Sequence, residues 1–151
     1  MTIPPMSRPP RARARGPVAA DAVLDHVPDR ADLIVPLANG EPVAVLDALE
    51  AANEQLSGVR VHQMHALRDR PYLHGEYGER LRHVSYFLSA ATRQAYWDGH
   101  LDLVPSNFSE MPLLLRQATR CDLVVAAASP PDAHSYFTLG TNADYVAALP
   151  R

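Results

Sequence analysis

The densest potential chemistry lies in Ser129-Pro130-Pro131-Asp132-Ala133-His134-Ser135-Tyr136-Phe137-Thr138-Leu139-Gly140, which directly follows an apolar run from Cys121 to Ala128. Two consecutive prolines fix an extended, rigid exit from that run. Asp132 and His134 can then meet through a short turn and bind or orient a ligand. Equally, Asp132 alone can close an Asx-type turn by accepting main-chain N–H groups. A catalytic Asp-His pair needs a nucleophile beside it, and the segment places none there. The other reactive candidates are few. Cys121 is the one cysteine, which excludes an internal disulfide and a CxxC metal or redox motif. It opens an apolar run and reads as a small core residue. His62 and His65 form H-x-x-H. On a strand this spacing sends the two rings to opposite faces, so no shared metal site is expected. Glu41, Glu76 and Glu110 are available carboxylates, and Glu110 reads as an acid in the first turn of a helix.

The elements that must position these groups alternate. Ala19 to Val27 reads as a short helix stopped by Pro28. Asp32 to Leu37 reads as a buried strand. Asn39-Gly40-Glu41-Pro42 is a turn into a helix that runs to about Leu56, with Leu46, Leu49, Asn53 and Leu56 on one face. Val59 to His65 is a second strand, and Arg68 to Arg82 a long polar loop. His83 to Leu88 is a third strand, followed by a helix capped by Ser89 and closed by Gly99. Leu101 to Val104 is a fourth strand, and Ser109 caps the next helix. Cys121 to Ala128 is a fifth strand, apolar on both faces as a central parallel strand is. Asp144 to Leu149 begins a further helix.

Strands and helices in this order predict an α/β fold: a mostly parallel sheet with helices on both faces, broken off at its C-terminal side. Right-handed crossovers place the carboxyl end of every strand on one edge. That edge collects Asn39-Gly40, His65, Ser89, Ser106-Asn107 and Ser129, and open α/β sheets bind ligands there. Helix N-termini on the same edge favour phosphates and carboxylates.

Composition narrows the class. The chain has 151 residues, 47% hydrophobic and 21% charged, with a net charge of -3. A length of this order suits one domain. Nothing global favours nucleic acid or an anionic membrane. The apolar runs are too short to span a bilayer, and no apolar segment near Met1 reads as a secretory signal. A reduced, cytoplasmic setting is expected. Residues 1–17 form a separate regime, with five prolines, four arginines and no acid. That composition reads as a disordered extension preceding a domain over 18–151.

With these residues set out, the chain resembles the acetyl-CoA hydrolase/transferase family, which includes 4-hydroxybutyrate and succinyl-CoA:acetate CoA-transferases. The family shows a strand followed by S-P-P-D-x-H-G-[YF]-x-[ST]-L-G, and Ser129 to Gly140 follow it, with Ser135 replacing the usual Gly. Arg82-His83, Gly40-Glu41-Pro42, and the set Arg93, Gly99, Asp102, Pro105, Ser109, Glu110 and Pro112 resemble its other motifs. The resemblance runs from about Ala31 to Ala148 and covers the family's N-terminal domain.

The resemblance implies an acyl-CoA:carboxylate CoA-transferase or an acetyl-CoA hydrolase. Its substrates would be an acyl-CoA thioester and a small carboxylate, with no bound cofactor. Family members work through a glutamyl-CoA intermediate, and the reactive glutamate and a Gly-rich loop lie in their C-terminal half. No catalytic residue is therefore assigned here, and a complementary C-terminal domain or chain is the implied partner. Gly40, Ser106, Ser129, Pro130, Asp132 and His134 are the candidates for lining the substrate or CoA site. A non-catalytic remnant or interaction module of the same fold is the alternative. An unrelated nucleotide-binding domain is disfavoured because no G-x-G-x-x-G or P-loop follows a strand. A sheet that stops midway leaves an open edge and apolar helix faces, so self-association or instability of the isolated chain is expected.

Overall fold

The computed structural model describes residues 16–149. The Pro/Arg-rich extension expected over 1–17 falls, except for Gly16 and Pro17, outside the described residues.

Five strands form one wholly parallel sheet: β1 (Asp32–Ile34), β2 (Val59–Gln63), β3 (Leu81–Ser85), β4 (Asp102–Leu103) and β5 (Leu123–Val124), in the order β4-β3-β2-β1-β5. Three α-helices intervene: α1 (Val43–Ala51), α2 (Ala90–Trp97) and α3 (Met111–Ala118). The strand alternation of β1 decides which residue enters which core. Leu33 and Val35 join Leu46 and Leu49 of α1 on one face, while Ile34 joins Met111 and Leu115 of α3 on the other. Helices therefore cover both faces, as the apolar β1 run requires.

Local sequence explains most boundaries. The Ser89 N–H donates to Thr92 Oγ1 at 2.9 Å and the Ser89 hydroxyl donates to Ala66 O, so α2 is capped and tied to the end of β2. Other expectations are shortened. The helix expected from Ala19 to Val27 is a 3-10 turn over Ala20–His26, and its sequence has no residue that is fully buried. The helix expected from Asp144 is a single 3-10 turn at Val146–Ala148. Ser109 does not cap α3; it sits inside a 3-10 turn, Phe108–Glu110, that leads into the helix. The run from Cys121 to Ala128, expected as a central strand, lies at the sheet edge and pairs with β1 alone. An apolar run specifies that both faces seek cover, but it does not specify which strands stand on either side.

A buried polar network fastens the amino end of the sheet. Asp32 is fully buried at the start of β1. Its carboxylate accepts two N–H bonds from Arg60 at 2.7 and 3.0 Å, one from the Arg120 amide at 2.8 Å, and contacts His62 Nε2 at 3.2 Å. His62 Nδ1 lies 2.8 Å from the Tyr86 hydroxyl. One neutral tautomer, protonated at Nε2, serves both contacts, donating to Asp32 and accepting from Tyr86. Burial alone raises the Asp32 carboxyl, but the Arg120 amide, His62 and Arg60 outweigh it and hold the group below its ordinary value.

Candidate crevice at the switch point of the sheet

β2 lies on one side of β1 and β5 on the other, so the chain changes direction across the sheet between β1 and β5. Loops leaving the carboxyl ends of two such strands part and leave a crevice. Here the crevice has a volume of about 270 Å³ and lies between Asn39-Gly40 after β1 and Ala127 to Ser129 after β5, with Thr138 to Asn142 as its rim. Pockets that enclose a small ligand usually hold about 300–1,000 Å³. This one is smaller and open, a shallow crevice rather than an enclosed pocket.

Gly40 makes the floor. A Cβ built on it would stand 2.6 Å from Pro36 Cβ and 2.8 Å from Asn142 Cβ. Gly40 is therefore required by close approach, not by an unusual φ. Gly40→Ala should destabilise the fold by about 1–3 kcal/mol, the range for overpacking a tight site. Thermal denaturation of the variant checks this, and an unchanged melting temperature would refute it.

The segment after β5 folds back on itself. Ser129 N donates to Thr138 O at 2.9 Å, and Thr138 N donates to Ser129 Oγ at 3.0 Å. Asp132 Oδ1 accepts from the His134 and Tyr136 amides at 2.8 and 2.9 Å. Asp132 thus closes an Asx-type turn, and its link to His134 runs through the main chain rather than the imidazole. Ser135 holds φ +65. Gly takes that left-handed geometry freely, whereas Ser does so at a cost of roughly 1–2 kcal/mol.

Of the six residues singled out from sequence, Gly40 and Ser129 line the crevice. Pro130, Asp132 and His134 are exposed on the turn beside it. Ser106 follows β4, at the opposite edge of the sheet from β5, and its hydroxyl contacts Met111 Sδ at 3.0 Å. The structure does not bring it to the other five.

Sequence reading missed the far wall. Asn142 Nδ2 donates to Leu37 O at 3.3 Å, the Leu37 amide donates to Asp144 Oδ2 at 3.2 Å, and the Tyr145 hydroxyl donates to Val35 O at 2.6 Å. These bonds lash residues 142–145 over the exit of β1, more than a hundred residues away in sequence. No local pattern announces such contacts; a polar residue beside the Gly140 turn was the only available signal. Glu41, next to Gly40, is also buried and accepts from Gln63 Nε2 at 3.0 Å, with Arg68 Nε at 3.7 Å. Its burial follows from Pro42 and Val43 turning the chain into α1 at once.

The remaining reactive groups are committed elsewhere. Both His62 nitrogens are occupied, and His65 stacks on Phe87 with ring centres 5.5 Å apart. Burial, and then Asp122, push the Cys121 thiol up, so it stays protonated. No group of three or more metal-ligating side chains occurs among the described residues. No described helix is long and apolar enough to cross a membrane.

Comparison with known proteins follows the same geometry. Residues 18–150 match the family described as acetyl-CoA hydrolase/transferase N-terminal domain. The chain belongs to this family. Among its relatives, the succinyl-CoA:cyclohexane-1-carboxylate CoA transferase of Geobacter metallireducens is 33% identical over 135 residues, covering 89% of this chain and 30% of the relative. The 4-hydroxybutyrate coenzyme A transferase of Clostridium kluyveri is 26% identical over 129 residues, 85% of this chain and 30% of that one. The crystal structure of RipA from Yersinia pestis superposes with a TM-score of 0.78 at 26% identity, covering 87% of this chain and 33% of RipA. This N-terminal domain therefore spans about a third of the length of the proteins it matches.

Proposed function

We propose that this N-terminal domain forms one wall of the active site of an acyl-CoA:carboxylate CoA-transferase or acetyl-CoA hydrolase. The observation that carries this reading is the crevice at the β1/β5 switch point, where Gly40 and Ser129, both in family-matching motifs, face each other. An open wall suits a site completed by a second body. The family's chemistry needs a glutamate carboxylate that attacks the thioester carbonyl and expels CoA thiolate, leaving a mixed anhydride. The thiolate then opens the anhydride at the glutamyl carbonyl, forming glutamyl-CoA and releasing the acyl group as a carboxylate. We assign that glutamate to a complementary domain or chain, and to this domain the seating of the substrate against the Gly40 floor and the Ser129–Thr138 rim.

A graft tests the reading. Residues 18–149 would replace the matched segment of the Geobacter metallireducens transferase, and CoA transfer from succinyl-CoA to cyclohexane-1-carboxylate would be followed. The graft should be active, and this chain alone should transfer no CoA. A folded but inactive graft would overturn the assignment.

A further inference from the structure

A second cleft, of about 450 Å³, opens at the amino edge of the sheet, the edge opposite the crevice. Arg30, Gly58, Arg60 and Arg120 line it, so every side chain on its walls is a guanidinium. Sheet order brings them together. Arg30 lies just before β1, Gly58 just before β2, Arg60 within β2 and Arg120 just before β5, and these three strands are neighbours. Main-chain bonds tie the strand entries: Arg30 N donates to Ser57 O at 2.7 Å, and Asp122 N donates to Asp32 O at 3.0 Å. The nearby carboxylates neutralise the cleft only in part. Asp32 is fully buried and takes Nε and Nη2 of Arg60, while Asp122 takes Nη2 of Arg120 at 3.1 Å. Three guanidinium groups thus stand against two carboxylates. Among the described residues, Arg30 has no carboxylate partner, and Nη1 of Arg60 and of Arg120 has no acceptor. The Arg60 and Arg120 side chains are 47% and 54% exposed, so these spare N–H groups are open to a dissolved ligand.

We propose that this cleft binds the phosphate group of a small phosphate monoester. Such a group carries nearly two negative charges and three acceptor oxygens. Guanidinium forks match those oxygens in geometry and charge. Three forks arriving from three strands can each serve a different oxygen. A carboxylate has two oxygens and satisfies a single fork, as Asp32 already does for Arg60. A phosphodiester has two free oxygens and one charge. The surplus of positive charge therefore favours the monoester over both. Arg30 holds its position at a cost. Its φ is +58, in the left-handed region that Gly enters freely and Arg does not. Its stem also lies over Gly58, where a Cβ would stand 3.1 Å from Arg30 Cγ. The cleft and the crevice share no residue and occupy opposite edges of the sheet, so the inference does not rest on the CoA-transferase reading.

The experiment is isothermal titration of the full chain at low ionic strength and about pH 8, where a phosphate monoester is a dianion. The probes are inorganic phosphate, phenyl phosphate, dimethyl phosphate and acetate. Inorganic phosphate and phenyl phosphate should each saturate at one per chain, and dimethyl phosphate and acetate should bind at least about tenfold more weakly. Arg30→Gly removes one guanidinium and also frees the left-handed backbone. It should weaken phosphate binding at least about tenfold while the melting temperature holds or rises, which separates the site from the fold. Arg120→Ala should weaken binding by a similar factor. No saturation at one phosphate per chain, or acetate or dimethyl phosphate binding as tightly as phosphate, would overturn the proposal. So would unchanged affinity in either variant, which would assign the anion to other arginines, such as Arg8, Arg11, Arg13 and Arg15.

Discussion

Replacing Asp32 by alanine is expected to destabilise the protein by about 3 kcal/mol, because it strands several buried hydrogen-bond donors at about 1–3 kcal/mol each. The carboxylate is the common acceptor for Arg60, the Arg120 amide and His62. Those groups bind β1 to β2 and to the segment entering β5. Removing the carboxylate leaves the Arg120 amide and a buried imidazole without their acceptor. Deleting Arg60 instead should cost far less, at most about 1 kcal/mol, because its side chain is 47% exposed and water screens the pair. The asymmetry is the test. Urea denaturation of Asp32→Ala and Arg60→Ala should give a large and a small loss respectively. Equal losses would show that the ion pair, rather than the multiple hydrogen bonds to Asp32, carries the effect. A domain of this size has a net stability of roughly 5–15 kcal/mol, so the first variant should be visibly close to unfolding.

Acid should begin to destabilise the protein well above the carboxylate range. His83 is fully buried, neither of its ring nitrogens has a partner among the described residues, and burial holds it down at about 3. His62 is lowered as well, again chiefly by burial, although Asp32 opposes the shift. A histidine in the unfolded chain titrates near 6.5. Below that pH the unfolded state binds protons that the folded state refuses, so stability falls as pH falls. For His83 the slope is about 1.4 kcal/mol per pH unit between 6.5 and its folded value, and His62 adds in the same direction. Asp32, held below its ordinary value, contributes stability that is present above about pH 4 and is lost as pH falls further. The melting temperature should be nearly flat from pH 8 to pH 7 and decline steadily below pH 6.5. His83→Leu should make that decline shallower by one proton's worth. A flat profile down to pH 5, or a His83→Leu variant with the wild-type slope, would rule this account out.

Burial explains why these two effects are the largest. Asp32, His62 and His83 are polar groups closed off from water, so neither a lost acceptor nor an added proton is compensated by solvent. The carboxyl end of the sheet is the opposite: open, with Asp132, His134 and Thr138 exposed.

Local composition alone determined the class of fold. The alternation of short apolar runs with helix caps and Gly or Pro breaks fixes five strands and their intervening helices, because each run can be satisfied only in a covered parallel sheet. The Ser129 to Gly140 motif announced a rigid exit at the ligand edge; that Ser135, in place of Gly, still takes the left-handed geometry was decided by the folded turn. The runs, breaks and rigid exit are local: they depend on which residue follows which. Neighbours in space are decided otherwise. That the Cys121 to Ala128 run sits at the edge and not in the centre follows from sheet order, which hydropathy does not encode. That Gly40 and Ser129 meet while Ser106 stands on the far side follows from the same order. That Asp32, at the head of an apolar strand, is the electrostatic anchor follows from Arg60 and Arg120 converging on it from 28 and 88 residues away. Long-range partners of a buried charge become fixed only once the chain has closed around it, because until then water serves it equally well.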